Sequence, residues 1–394
     1  MSDDAPGPSH AAGPVHTHDL ADDVDLGPVA AHVRVVLTVA GVLVALGSVL
    51  GLVLTWPGAT VDVGEQYDVT RIGGQVTALE QCDQDGDCLL ASVELEDGEQ
   101  IDIPVPAADA VNSVDVGEDI VVGFTENAPP GNQYSFSDVD RSTPVLSLLA
   151  LFGIGVLALS GWKGAASLLS LGLTLLVIGV YVLPALLDGG SPMAVALTTA
   201  AVVMLVVMYA TYGVSVRSTV ALTGTLLGLV LAAGVGSSYT ALADLRGFSE
   251  ESQVLRGLLG DGQLEFQGLL LAGLIIGALG VLDDVTVTQT ATVWELAAAD
   301  MDAPRRSIFT AAMRVGRAHV SATVNTLVLA YVGASLPLLL VLSTLGTTWT
   351  DAIFTEPVAT EIVRGLAGSL GIIAAVPLTT LIACWAVPRE ADQR

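Results

Sequence analysis

Long runs of apolar residues recur along the chain and are separated by short polar segments. Each run has close to the roughly 20 residues that a helix needs to cross a hydrocarbon core. The runs predict eight membrane spans, at residues 33–54, 144–161, 164–187, 192–212, 218–240, 265–282, 320–345 and 363–387. This pattern predicts a polytopic α-helical membrane protein of about eight transmembrane helices, with the lipid bilayer as its partner.

A different pattern, in which apolar and polar residues alternate, fills residues 56–143 between the first two spans. The alternating runs are short and are separated by Gly73-Gly74, Asp97-Gly98 and several prolines. Such spacing is typical of a small barrel or sandwich, and VGEDIVVGF resembles a strand of OB-like barrels. We therefore predict a small all-β (barrel or OB-like) insertion here.

The other boundaries follow from composition. Residues 1–32 are acidic and rich in Pro, Ala and His, which predicts a disordered tail. The apolar run 33–54 is too long for a signal peptide and is interpreted as a retained anchor. Residues 144–387 then form a seven-helix membrane domain with an amphipathic cytoplasmic segment at 285–318, and 388–394 form a short tail.

The distribution of basic residues predicts the orientation. With the N-terminus inside, nine of the 14 Lys and Arg residues are cytoplasmic and five are outside. Because short cytoplasmic loops are enriched in basic residues, both termini are predicted to be cytoplasmic and the β-insertion extracytoplasmic. The prediction is thus a multi-pass protein of a cell membrane, with a composition typical of a high-GC bacterium or of an organism from high salt.

Charge and cysteine content exclude some functions and leave others open. The net charge of -27 argues against nucleic-acid binding. Cys82 and Cys88 form either a short disulfide or two free thiols. The aspartates between them, Asp83, Asp85 and Asp87, resemble part of a calcium loop, but the strand-like residues that follow favour a polar hairpin tip. We predict no metal site and no cofactor.

The segment GALGVLDDVTVTQTATVWEL, from Gly277 to Leu296, carries unusual polar residues next to a span. If the helix continues past Leu282, Asp284, Thr288 and Glu295 share one stripe, and Asp283 points about 100° away. Acidic residues near a bilayer are costly and usually face a cavity or a partner. His319 and Asn325 begin the next span. The predicted ion-, proton- or solute-binding residues are Asp283, Asp284, Thr288, Gln289, Glu295, His319 and Asn325. The competing interpretation is a capping network at the membrane edge.

Glycines and prolines in the spans suggest packing and breaks. Gly273, Gly277 and Gly280 form a face of small residues that would let a neighbouring helix approach closely. The alternative is a glycine-rich span with no particular packing partner. Pro337 and Pro377 can interrupt their helices, as in many transporters.

Two blocks, GLLLAGLIIGALGVLDDVTVTQTATVWEL and RVGRAHVSATVNTLVLAYVGASLPLLL, resemble the YibE/F family of multi-pass membrane proteins. The resemblance extends over about residues 140–390. It implies an integral membrane protein of poorly defined biochemical role and supplies no catalytic residues.

These observations favour a permease or an ion- or proton-coupled small-solute transporter. The alternative is a membrane scaffold or signalling protein that binds a partner through its β-domain. The sequence is compatible with a homo-oligomer and with an unidentified membrane partner. We predict no enzyme, because GxSxG, HExxH and Walker A motifs are absent from the sequence and aspartyl chemistry requires two facing carboxylates.

Overall fold

Helices make up most of the structure, a computed structural model that describes residues 29–58, 69–81, 88–106, 114–129, 131–259, 265–346 and 348–388. The helices are α1 (Ala31–Thr55), α2 (Ser142–Val177), α3 (Leu183–Leu187), α4 (Pro192–Tyr212), α5 (Val216–Leu242), α6 (Glu250–Leu259), α7 (Phe266–Ala299), α8 (Arg305–Ala334), α9 (Leu336–Thr344), α10 (Trp349–Ala352) and α11 (Glu356–Ala386). A π-helical turn, Ile178–Val182, joins α2 to α3.

The chain forms two compact units. The sheet unit is Val61–Leu168, and the helical unit combines Met1–Thr60 with Leu169–Arg394. The predictions for the N-terminal tail up to residue 28, for the loop 82–87 with its disulfide or calcium interpretations, and for the tail from residue 389 fall outside the described residues.

Most of the predicted spans correspond to long apolar helices. Among the described residues, seven helices are long and apolar enough to cross a membrane, and α8 with α9, bent by 52°, would make an eighth. The bend lies at Ser335, just before Pro337, whereas α11 continues through Pro377. Gly161 adopts a φ of 55° and divides α2 into two spans, a conformation that glycine tolerates without steric cost.

The sixth span is longer than the sequence suggested. Helix α7 runs for 34 residues and continues well past the predicted end at Leu282. Thr286, Thr290 and Val293 are buried in it, so the predicted segment 285–318 is not one amphipathic element. It is the second half of α7 followed by the start of α8. Neighbouring helices cover Thr286, Gln289 and Thr290, which follow the acidic pair, whereas Asp284 itself is exposed.

Helices α5, α7 and α11 form the centre of the helical unit. A Cβ atom at Gly371 of α11 would lie 2.9 Å from the carbonyl oxygen of Gly228 on α5, and one at Gly228 would lie 2.7 Å from the Cβ of Ala375. Only glycine allows the two helices to approach this closely. We call the end near Leu245 and Leu270 the outer end of the unit. The other end is the inner end, where Val33, Val220, Trp294 and Ala383 cluster.

The described residues of the sheet unit form five antiparallel strands, β1 (Val69–Gln81), β2 (Cys88–Leu95), β3 (Gln100–Pro106), β4 (Asp119–Thr125) and β5 (Tyr134–Val139), in the order β3-β2-β1-β4-β5. The long β1 pairs with β2 and with β4, and Gly74 faces Leu95 on one side and Ile120 on the other. Val76, Val93, Ile103 and Val122 fill the core. The hydroxyl of Tyr134 on β5 donates to Glu99, just before β3, at 3.3 Å, so the sheet is curled.

Candidate functional site

The acidic pair of α7 lies halfway along the helical unit. Leu282 sits against Gly228, where its Cδ2 would be 2.9 Å from a Cβ at that position, and Gly228 is close to the middle of α5 (Val216–Leu242). Asp283 and Asp284 follow directly. The two carboxyl groups are therefore far from both ends of the bundle, and not at its inner edge.

Asp284 faces α8. Its Oδ2 lies 3.8 Å from Nε2 of His319, and the Asp284 side chain is 73% exposed while that of His319 is 33% exposed. The distance is too long for a hydrogen bond, and within the part of the chain that the structure describes, His319 Nε2 has no hydrogen-bond partner. The contact becomes an ion pair when the imidazole carries a proton.

Asp283 points elsewhere, about 100° around the helix from Asp284. Its Oδ1 is buried and accepts no hydrogen bond from any described residue. The backbone carbonyl of Asp283 accepts from Thr286 at 3.2 Å. A buried carboxyl oxygen without a hydrogen-bond donor is costly. Oδ1 of Asp283 is therefore available to a donor from outside the described residues.

Gln289, also predicted as a binding residue, forms buried hydrogen bonds to two neighbouring helices. Its buried Nε2 donates to the carbonyl of Ala312 on α8 at 3.1 Å and to Oγ1 of Thr380 on α11 at 2.7 Å. A Cβ at Gly316 would lie 2.7 Å from Gln289 Oε1. Gln289 thus links three helices, and Gly316 makes the room for it.

The sequence analysis missed a buried group of hydroxyls around Gln289. Thr225 on α5 and Thr286 on α7 are hydrogen-bonded at 2.5 Å. Thr290 and Thr379 are fully buried, and their hydroxyls have no partner among the described residues. The signal was present in the sequence, because α11 carries adjacent threonines, Thr379-Thr380, inside an apolar run.

The remaining predicted residues lie further along α7 and α8. Thr288 and Glu295 are half-buried on α7, and Glu295 lies near the inner end. Asn325 is exposed on α8, about 9 Å beyond His319 along the helix and on a different side of it. The structure thus brings together Asp284 and His319, next to Asp283. Thr288 lies one helical turn from Asp284 on α7, and Glu295 and Asn325 lie further along their helices.

Two of the three glycines of α7 lie against side chains instead of a helix backbone. A Cβ at Gly273 would lie 3.6 Å from Nη2 of Arg364, and one at Gly277 would lie 2.9 Å from the hydroxyl of Tyr331. At Gly280 no described atom would come within 4 Å. The close backbone approach occurs instead between Gly228 and Gly371.

Removing the link between the three helices should destabilise the fold. We expect Gln289→Ala to lower the free energy of unfolding by about 2–4 kcal/mol, because it leaves a cavity and removes two buried hydrogen bonds. Thermal unfolding of the purified protein in detergent measures this loss. Thr288→Ala, at the neighbouring half-buried position, is the matched control and should unfold near the wild-type temperature. Equal unfolding temperatures for Gln289→Ala and the wild type would contradict the assignment.

Comparison with known proteins places the chain in a family. No curated protein sequence and no solved structure matches it. The family described as YibE/F-like protein matches residues 148–389, which include every helix from α3 to α11 and most of α2. The match covers more than half of the sequence, including the acidic pair and His319. The chain belongs to the YibE/F-like family.

Proposed function

We propose that this protein is an integral protein of the cell membrane that crosses the bilayer eight times, with both termini in the cytoplasm. The seven apolar helices and the bent pair α8–α9 support this proposal. So do the large apolar side chains on their outer surfaces, among them Leu46, Leu149 and Leu340. Monomeric soluble proteins rarely expose apolar surface this extensive. The excess of Lys and Arg on one side supports the orientation.

We further propose that it works as a proton-coupled permease for small solutes and not as an enzyme. The observation that carries the proposal is the contact of Asp284 with His319 at 3.8 Å, beside Asp283. In a bilayer spanned by α5, the level of Gly228 is close to mid-depth. Ionisable groups at that depth are costly and typically belong to ion pathways or proton relays.

The inner half of the helical unit supports the same interpretation. Between the acidic pair and the inner end, Thr290 and Thr379 have buried hydroxyls without partners in the described structure. Buried polar groups normally have a partner, which is often an ordered water. Hydroxyls at this level could hold water molecules that carry protons between Asp283 and the inner surface.

Proton uptake by the purified protein in proteoliposomes tests the proposal. Replacement of Asp284 by Asn removes its titratable group and preserves its size, so uptake should fall steeply. The same loss should not follow replacement of Asp302, an exposed acid beyond the end of α7. Uptake no faster than in empty liposomes would reject the proposed function.

A scaffold or signalling role is the second candidate, and the sheet unit favours it. The strand order and the curl of the sheet support an OB-like barrel, a type of fold that commonly binds partners. Acidic residues far outnumber the three basic residues of this unit, Arg71, Arg141 and Lys163, so its partner would be basic and not a nucleic acid. Crosslinking in intact cells tests this role: a basic protein should be recovered at sheet positions such as Glu96, and recovery of none would count against it.

A further inference from the structure

A cavity of about 460 Å³ lies at the outer end of the helical unit. Its walls come from the loop at Gly247–Ser249, the start of α7, the bend between α8 and α9, and the first turns of α11. The volume is in the range of small-molecule sites. None of the residues predicted as a site from the sequence lines it.

An ion pair stands in the wall of this cavity. Nη1 of Arg364 donates to Oε1 of Glu361 at 2.7 Å, and the two side chains are 25% and 26% exposed. Both lie within α11, with Arg364 eight residues from its start, which is about 12 Å along the helix. Charged residues at such a depth are costly and are usually retained for a function.

The ion pair leaves binding capacity unused. The bond to Glu361 engages one of the two terminal nitrogens of Arg364, and the other lies over Gly273, where a Cβ would be 3.6 Å away. The second oxygen of Glu361 accepts no hydrogen bond from a described residue. The hydroxyl of Thr360 beside them is buried, and it too lacks a partner in the described ranges.

The remaining wall combines apolar side chains, among them Phe248, Phe266 and Leu269, with Ser249, Ser252 and Ser335. Oε1 of Glu356 accepts from the backbone nitrogens of Arg246 and Phe248 at 2.6 and 3.1 Å. Gly247 has a φ of 76°, and a Cβ there would lie 2.5 Å from the carbonyl oxygen of Phe266, so glycine is required. Phe248 and Phe266, both of which line the cavity, hold the guanidinium of Arg256 at 5.1 and 4.9 Å.

We propose that this cavity binds a small zwitterion with an apolar side group, such as an apolar amino acid. Its carboxylate would contact Arg364, its ammonium group would contact Glu361, and its side group would lie against Phe248 and Phe266. Arginine and carboxylate groups form strong charge-assisted hydrogen bonds. A ligand with both charges matches a site whose own charges cancel. The inference rests on the proposed function, because it names the solute class that the permease would carry.

Equilibrium binding to the full-length protein in phosphatidylcholine nanodiscs tests the proposal without any transport step. The probes are L-leucine, 4-methylpentanoate, which lacks the ammonium group, and 3-methylbutylamine, which lacks the carboxylate. We expect saturable binding of L-leucine and at least tenfold weaker binding of both analogues. Failure of L-leucine to bind, or equal binding of either analogue, would overturn the proposal.

Variants provide an independent readout. Arg364→Gln and Glu361→Gln should each weaken L-leucine binding at least tenfold, and Arg364→Lys, which keeps the charge, should weaken it less. Arg246→Gln is the matched control, since Arg246 pairs with Asp244 and its side chain is outside the cavity lining. Unchanged affinity in well-folded Arg364→Gln and Glu361→Gln would contradict the site.

Two further comparisons distinguish this site from a lipid-binding site and from the proposed proton-coupled transport. L-leucine binding is also measured in nanodiscs that contain phosphatidylethanolamine, whose headgroup is a zwitterion too. If this lipid competes with L-leucine, the zwitterion that occupies the cavity is a lipid headgroup. Binding without proton-coupled uptake would reject the proposed function and keep this site. Proton uptake without binding of L-leucine would do the reverse.

Discussion

Proteoliposomes that contain Asp284→Asn are expected to take up protons at least about tenfold more slowly than those with the wild type. Asparagine has nearly the same shape as aspartate but cannot carry a proton, so the contact with His319 loses its ionisable partner. Asp283→Asn should have a similar effect, because the neighbouring carboxyl lies at the same depth. His319→Gln should slow uptake less, since both acids remain.

Uptake is followed with a pH-sensitive dye inside the vesicles, under a clamped membrane potential and with a mixture of amino acids, sugars and organic acids outside. Asp302→Asn is the control, because it also removes one acidic residue but at a position in the exposed turn between α7 and α8. Wild-type rates in Asp283→Asn and Asp284→Asn alike would mean that the acidic pair takes no part in proton movement.

Arginine at position 152 is expected to prevent the second span from entering the bilayer. Phe152 is 51% exposed near the centre of Ser142–Trp162, a helix with none of its apolar window buried in the protein. A charged residue at the centre of a span costs about 2.5–3.5 kcal/mol on insertion scales, which is roughly a 70- to 350-fold change in the insertion equilibrium.

Fusion of alkaline phosphatase after Trp162 measures this change, because the enzyme is active only outside the cytoplasm. The wild-type fusion should be inactive, and Phe152→Arg should make it active. Val116→Arg, at an exposed position of the sheet unit, should have no effect. An active wild-type fusion would contradict the proposed topology.

The sequence was sufficient for features that depend on neighbouring residues. The apolar run predicts span four at 192–212, and the structure has a helix at Pro192–Tyr212. Pro192 is suited to the start of that helix and Gly213 follows its end. Pro337 was identified as a break, and the bend lies beside it. The curled sheet followed from alternation and turn residues, which are also local signals.

Features that depend on contacts between helices could not be predicted from the sequence as well. The apolar run of α7 stops at Asp283, so the predicted span stopped there too. The helix continues because α5, α8 and α11 supply polar partners, such as Thr225 and Thr380. Likewise, the spacing of Gly273 and Gly277 predicted a helix contact, but two large side chains fill that space. The ion pair in α11 has a spacing of three residues that was visible in the sequence and was overlooked.

The central claim is that the acidic pair lies at mid-depth in the bilayer, and a spin label at Val230 tests it most directly. Val230 is 59% exposed on α5, two residues from the Gly228 that contacts Leu282. In a background with Cys82, Cys88 and Cys384 replaced by serine, the label at Val230→Cys should collide with oxygen and hardly with a water-soluble nickel complex. A label at Val214→Cys, in the exposed turn before α5, should show the opposite. Equal access of nickel to both positions would place the level of Asp283 in water and contradict the account.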